Sequence, residues 1–315
     1  VIIDEIQDSA KVYSLIRQFA REFSCHFVVT GSYLGKTLSK EYFQPVGDLD
    51  IMTLDTLTFE EFLDAKGKRD LYDSIDLFGS SPHEDYDELK QYYDLYCQIG
   101  GYPAVVKTYL ETKNLETCRM ELDRVIHIFT EESQSYFDNV LDINLFGQLL
   151  PAVAQTMIKE KKGSEDLISE LSKIVYKQES SRLSKRTINQ AIAWLYRSHI
   201  LDFCGKANDC NPTDVSANSR FYFLDVGVCR SFLDMAGADL SSLRGIINEN
   251  FVYIDLLKRV RARKISGTAP MFGLYKEGEI DFLINSRENY KTYGVEVKAG
   301  KSEGKTAQLL LRDQK

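Results

Sequence analysis

The chain has 315 residues, a net charge of −8, 43% hydrophobic residues and 27% charged residues. Such a length predicts two or three domains, and the composition is that of a soluble globular protein rather than a disordered chain. The acidic balance excludes a uniformly basic coat for nucleic acid, no run reaches the roughly 18 apolar residues of a membrane helix, and no signal peptide is recognisable, so a cytoplasmic protein without a membrane partner is expected.

Residues 1–6 read as a buried strand. Val12, Leu15, Ile16, Phe19 and Phe23 lie at helical spacing over residues 10–23. Residues 26–30 form a second apolar run and 49–54 a third. Thr58 is placed to cap a helix carrying Glu60 and Glu61 in its first turn. Strand, helix, strand, helix, strand at this spacing describes half of a parallel α/β sheet. Residues 63–161 are patterned almost wholly as helices (85–98, 115–137 and 145–160), broken at the turn Gly100-Gly101-Tyr102-Pro103. They read as a helical lid or connector.

Residues 162–224 change character. A helix over 164–176, a polar turn, a helix over 185–199 capped by Ser184, and strands over 200–204 and 220–224 follow in the order of a winged helix-turn-helix. Arg182, Lys185, Arg186, Asn189 and Gln190 gather at the start of the second helix, where contacts to DNA are made if this is a recognition helix. The same module can equally pack between domains. Residues 225–315 hold a long helix over 245–263, three strand-like pieces (271–275, 279–285 and 292–298) and the start of a last helix. Lys258, Arg259, Arg261, Arg263 and Lys264 end the long helix; they suit its dipole and could also meet a phosphate backbone. The six cysteines are scattered, without a CxxC pair, as expected for buried free thiols in a reducing compartment.

Ile2-Ile3-Asp4-Glu5 resembles a Walker B strand. In that role Asp4 holds Mg²⁺ and Glu5 polarises the attacking water. Phe27-Val28-Val29-Thr30-Gly31-Ser32 resembles the neighbouring sensor strand of AAA-type ATPases, with Thr30 or Ser32 hydrogen-bonding the water or the γ-phosphate of ATP. With Pro45-Val46-Gly47, Leu57-Thr58-Phe59-Glu60-Glu61-Phe62, Gly100-Gly101-Tyr102-Pro103 and Phe223-Leu224-Asp225-Val226-Gly227-Val228, the chain resembles bacterial and archaeal AAA-superfamily ATPases fused to a C-terminal domain of unknown function. Two departures stand out. The family's phosphate loop lies upstream of Walker B, so the resemblance implies a fragment without it and very weak ATP binding. Where the family has Arg after Val-Gly, this chain has Asp48. Gly31 to Thr37 only imitates a phosphate loop, because three residues rather than four separate its glycines.

The C-terminal region resembles the restriction-endonuclease-like, PD-(D/E)XK fold. Asp281 sits on one predicted strand and Glu296-Val297-Lys298 on the next, and strand alternation puts Glu296 and Lys298 on one face. The resemblance implies that Asp281 and Glu296 hold Mg²⁺, that Lys298 positions or activates water, and that Glu249 on the long helix is a third acid. The predicted order αβββα lacks the fold's last strand, so this end too is expected to be clipped.

The expected organisation is therefore α/β plus α. It comprises a partial P-loop (AAA-type) parallel sheet (1–62), a helical lid (63–161), a winged helix (162–224) and an αβββα restriction-endonuclease-like domain (225–315). The function implied is coupling of ATP binding or hydrolysis, with Mg²⁺, to DNA binding or Mg²⁺-dependent DNA cleavage, in a possible homo-oligomer. The alternative is a catalytically silent DNA-binding regulator or protein-interaction scaffold that keeps both folds.

Overall fold

Two short apolar pairs, Ile2–Ile3 (β1) and Val28–Val29 (β2), run parallel, with Ile2 opposite Val28 and Ile3 opposite Val29. Helix α1 (Ala10–Glu22) connects them, its first turn capped by the Ser9 hydroxyl, which accepts from the Val12 N–H. The computed structural model describes residues 1–31, 50–135, 137, 144–159, 166–178, 184–298 and 304–313. It divides into two compact units, 1–54 with 182–201, and 55–181 with 202–315.

The parallel strands expected at the N-terminus are present but short. Their outer residues Ile2 and Val28 are exposed, while Ile3 and Val29 are half-buried, so one face of the pair is covered and the other open. The third strand expected over 49–54 does not form in its described part, 50–54, where Ile51, Met52 and Leu54 are exposed. An apolar run becomes a strand only where a ladder and a packing face receive it, and a two-residue pair offers little of either.

The larger unit begins with α2 (Phe59–Lys66). The Thr58 hydroxyl accepts from the Glu61 N–H, and the Glu61 carboxylate accepts from the Thr58 N–H in return, a complete capping box. There follow α3 (Arg69–Ser74), α4 (His83–Ile99), α5 (Pro103–Thr112), α6 (Leu115–Ser135), α7 (Leu145–Lys159) and α8 (Leu167–Gln178). Pro103 opens α5 at the position where a missing N–H costs nothing. Helix α9 (Lys185–Arg197), capped by Ser184, falls in the smaller unit.

The strands β3 (Leu201–Ala207), β4 (Val215–Phe223), β5 (Met271–Tyr275), β6 (Gly278–Asn285) and β7 (Thr292–Val295) form one mixed sheet in the order β4-β3-β5-β6-β7. Strand β3 runs parallel to β5, and β5–β6 and β6–β7 are antiparallel. The two strands expected to form a wing are thus members of this sheet. Residues 220–224 are buried at every position, which requires cover on both faces, whereas a wing hairpin has one open face.

Helices α10 (Val226–Met235) and α11 (Leu240–Arg261) separate β4 from β5. Tyr253 and Leu257 of α11 pack with Tyr222, Phe272 and Phe282 of the sheet. The Tyr222 and Tyr253 rings stack at 4.1 Å and 10°. Ala307 and Leu310 of α12 (Lys305–Arg312) pack on a second cluster made by Ala207, Ile280 and Leu283. The order α11-β5-β6-β7-α12 matches the αβββα order predicted for the C-terminal region.

Three sequence motifs converge on one buried carboxylate. Asp225 caps α10, its Oδ1 accepting from the N–H groups of Gly227 and Val228, while its Oδ2 accepts from the N–H of Gly101. Gly100 has φ 73°, and a Cβ there would overlap Asp225 Oδ1. A Cβ on Gly227 would come within 2.7 Å of the Gly100 N. Gly101 in turn exchanges with the next motif: its carbonyl accepts from the Leu57 N–H at 2.8 Å, and Tyr96 Oη donates to the Leu57 carbonyl at 2.6 Å. The Leu57-Thr58-Phe59, Gly100-Gly101 and Asp225-Val226-Gly227 stretches are therefore one junction, and its glycines are fixed by close backbone approach.

Candidate functional site

The pairing of β6 with β7 assembles the C-terminal candidate residues. Phe282 lies opposite Val295, so continuing the register places Asp281 across from Glu296, just past the end of β7. Asp281 is 7% exposed and accepts from the Val297 N–H at 2.5 Å. Burial pushes its pKa up to about 6; the Val297 N–H works against this, and the nearby Glu249 and Glu296 carboxylates add to it. Lys298 Nζ pairs with Glu296 Oε1 at 2.5 Å. Burial works against the charged ammonium, but the hydrogen bond to Glu296 and the Asp281 carboxylate hold the Lys298 pKa above its ordinary value. Asp281, Glu296 and Lys298 are thus brought together, although β7 ends at Val295 and the strand expected over 292–298 does not reach Glu296 and Lys298.

Glu249 projects from α11 and is tied down from the sheet. Its Oε1 accepts from Arg220 at 3.2 Å and from the Tyr222 hydroxyl at 2.5 Å. Arg220 is 6% exposed, also pairs with Glu279 on β6 at 2.8 Å, and stacks over the Phe272 ring at 4.1 Å. A cavity of about 390 Å³ opens beside Arg220, Glu249 and Glu279. Sequence reasoning missed Arg220, Tyr222 and Glu279. The signal was available, because an arginine next to Phe221-Tyr222-Phe223 on a buried strand must find acidic partners.

Glu296 Oε2 is buried and has no hydrogen-bond partner among the described residues. An orphaned carboxylate oxygen beside a second carboxylate with a raised pKa suits a hard divalent cation, which prefers oxygen ligands and completes its shell with water. Among the described residues, no three His, Cys, Asp or Glu side chains stand together as a metal-binding group. Asp281 and Glu296 are the two carboxylates that could hold a metal here, while Glu249 accepts from Arg220 and Tyr222.

In the smaller unit, the Thr30 hydroxyl donates to Asp4 Oδ1, so the end of β2 meets the end of β1. Glu5 takes a left-handed backbone conformation at φ 50°, and Gln7 donates to its carboxylate. Gln7 is itself buried under Gly31, where a Cβ would overlap its Oε1. Asp4, Glu5 and Thr30 are exposed at one edge of the strand pair. Ser32, the Pro45-Val46-Gly47 run, Asp48 and the imitation phosphate loop beyond Gly31 lie outside the described residues.

Lys185, Arg186, Asn189 and Gln190 share the exposed face of α9, whose other face buries Ile188, Ala191, Ile192 and Leu195. Arg182 lies outside the described residues. The cations at the end of α11 are largely engaged internally. Lys258 donates to the Thr56 carbonyl at 2.6 Å, Arg259 pairs with Glu60 and Asp255, Arg261 with Asp55 and Asp202, and Lys264 with Glu60. Neither role expected of this cluster, the helix dipole or a phosphate backbone, includes these internal partners. The cysteines are free thiols, four of them buried. Among the described residues no helix is long and apolar enough to cross a membrane.

A family model described as a domain of unknown function (DUF8612) matches residues 90–239. That span runs from within α4 through α10 and contains both the Gly100-Gly101 turn and Asp225, and it stops before α11, Asp281 and Glu296. No curated protein matches the chain.

Proposed function

We propose that the chain is part of an AAA-type ATPase whose C-terminal region carries a restriction-endonuclease-like site acting on DNA with a divalent cation. The observation that carries this is the grouping of Asp281, Glu296 and Lys298 at the β6–β7 end, in a region of order αβββα. A bound Mg²⁺ supplies Lewis acidity at a phosphoryl oxygen. Asp281 and Glu296 are the residues that hold it. Lys298, charged and paired with Glu296, orients a water or meets the negative charge that develops on phosphate. The Thr30–Asp4 hydrogen bond supports the nucleotide-site reading of the N-terminal strands, in which Asp4 serves Mg²⁺ and Glu5 the attacking water of ATP hydrolysis. The exposed Lys185, Arg186, Asn189 and Gln190 of α9 form the DNA-facing side in this reading.

A second reading, a catalytically silent DNA-binding regulator, is favoured by one feature: the third carboxylate, Glu249, is engaged by Arg220 and Tyr222. Plasmid nicking with Mg²⁺ or Mn²⁺ separates the two. Wild-type protein nicks and Asp281→Ala and Lys298→Ala do not if the site is active. Wild-type protein that binds Mn²⁺ and DNA without nicking overturns the nuclease in favour of the regulator.

A further inference from the structure

Glu249 receives two hydrogen bonds on a single oxygen, from Arg220 at 3.2 Å and Tyr222 at 2.5 Å. Arg220 is anchored independently: it pairs with Glu279 at 2.8 Å, lies over Phe272 at 4.1 Å and is 6% exposed. A guanidinium so buried has little freedom to leave its partners, and a carboxylate held by it and by a phenol has little freedom to turn. Arg220 thereby bridges Glu249 to Glu279, which lies two residues before Asp281 on β6. Among the described residues, Glu249 does not form a three-acid group with Asp281 and Glu296.

We propose that Arg220 is a positioning residue that withholds Glu249 from the divalent-cation site, so that in its resting form the site binds the cation through Asp281 and Glu296 alone. This rests on the divalent-cation reading of Asp281 and Glu296. Tyr222 assists through the same oxygen. Freeing Glu249 adds a third charged oxygen ligand and tightens the cation.

The test is Mn²⁺ affinity, read as free Mn²⁺ by electron paramagnetic resonance, without DNA and without turnover. Arg220→Met, which keeps an apolar stem over Phe272, is expected to bind Mn²⁺ about ten- to a hundred-fold tighter than wild type. Tyr222→Phe removes one donor without changing any charge and is expected to tighten binding about five-fold. Glu249→Gln alone leaves the affinity within two-fold of wild type. In the Arg220→Met background, Glu249→Gln abolishes the gain and Glu279→Gln does not. The two double variants carry the same net charge, so a gain cancelled equally by both means that general electrostatics is at work, and the proposal fails. It fails also if Arg220→Met and Tyr222→Phe bind no tighter than wild type. Should Arg220→Met not fold, Tyr222→Phe with and without Glu249→Gln decides the matter. Asp281→Asn tests the underlying site separately: Mn²⁺ affinity unchanged in that variant removes the site itself, whatever Arg220 does, and absence of Mn²⁺ binding in every variant overturns both.

Discussion

Replacing Asp225 by alanine removes a carboxylate that accepts three backbone N–H groups, from Gly101 at 2.8 Å, Gly227 at 2.9 Å and Val228 at 3.1 Å. The residue is 3% exposed, so water cannot readily take over these donors. Loss of the α10 cap costs about 1–2 kcal/mol, and loss of the Gly101 bond to a charged acceptor costs about 1.5–3 kcal/mol more. Together the change is about 3–5 kcal/mol, which at about 2–4 °C per kcal/mol lowers Tm by roughly 6–20 °C. Asp225→Asn keeps one oxygen for the cap and turns an amide N–H₂ toward the Gly101 N–H, so about half of the loss is expected. Urea unfolding of the whole chain, followed by circular dichroism and by fluorescence, measures both variants. Alanine within about 1 kcal/mol of wild type at an unchanged denaturant slope, or asparagine as costly as alanine, would refute the view that this junction is held by the Asp225 hydrogen bonds.

Gly100→Ala meets both a positive φ of 73° and the Asp225 oxygen, whereas Gly79, at φ 89°, has open space around it. Melting temperatures should therefore fall markedly for Gly100→Ala, and for Gly79→Ala only by the left-handed penalty of about 1–2 kcal/mol; equal shifts would contradict the close approach at Gly100. The Asp281 pKa is raised from its ordinary 3.8 to about 6, so between those values the folded state holds a proton the unfolded state has lost, and stability falls as pH rises. Asp281→Asn, measured in chelator, should thus gain stability relative to wild type from pH 4 to pH 7, by up to about 3 kcal/mol; a difference that does not vary with pH would count against the burial of this carboxylate. On DNA, the double change Lys185→Glu and Arg186→Glu should weaken gel-shift binding for all sequences and reduce the salt slope by about two. Unaltered affinity and slope would move the DNA face away from α9. Lys264→Glu, which places a carboxylate beside Glu60, should lower the melting temperature and leave the DNA salt slope unchanged, since Lys264 is paired internally; a slope reduced by about one would return the α11 end to the DNA contacts.

Elements whose signal is local were legible in the sequence. The amphipathic spacing of α1, α4, α6, α7 and α9, the Thr58 capping box and the glycine–proline turn before α5 need only neighbours a few residues away to form. The grouping of Asp281, Glu296 and Lys298 was also legible, because one antiparallel pairing, continued past the end of β7, suffices to bring them together. The fate of residues 50–54 and of the two strands expected as a wing depended on long-range pairing. Nothing within Leu201–Ala207 says that its partner is Met271–Tyr275 rather than a hairpin mate alone. Side-chain partners were equally beyond local reach: the end of α11 reads as a free basic patch until Asp55, Glu60 and Asp202 are brought to it. The sequence by itself determined the helices, the turns and the residue types available for chemistry, since backbone propensity and periodicity act over one or two turns. Only the tertiary structure decided that Arg220 and Tyr222 hold Glu249, and that Asp225 ties three distant motifs together, because a buried charge selects its partners by proximity in space.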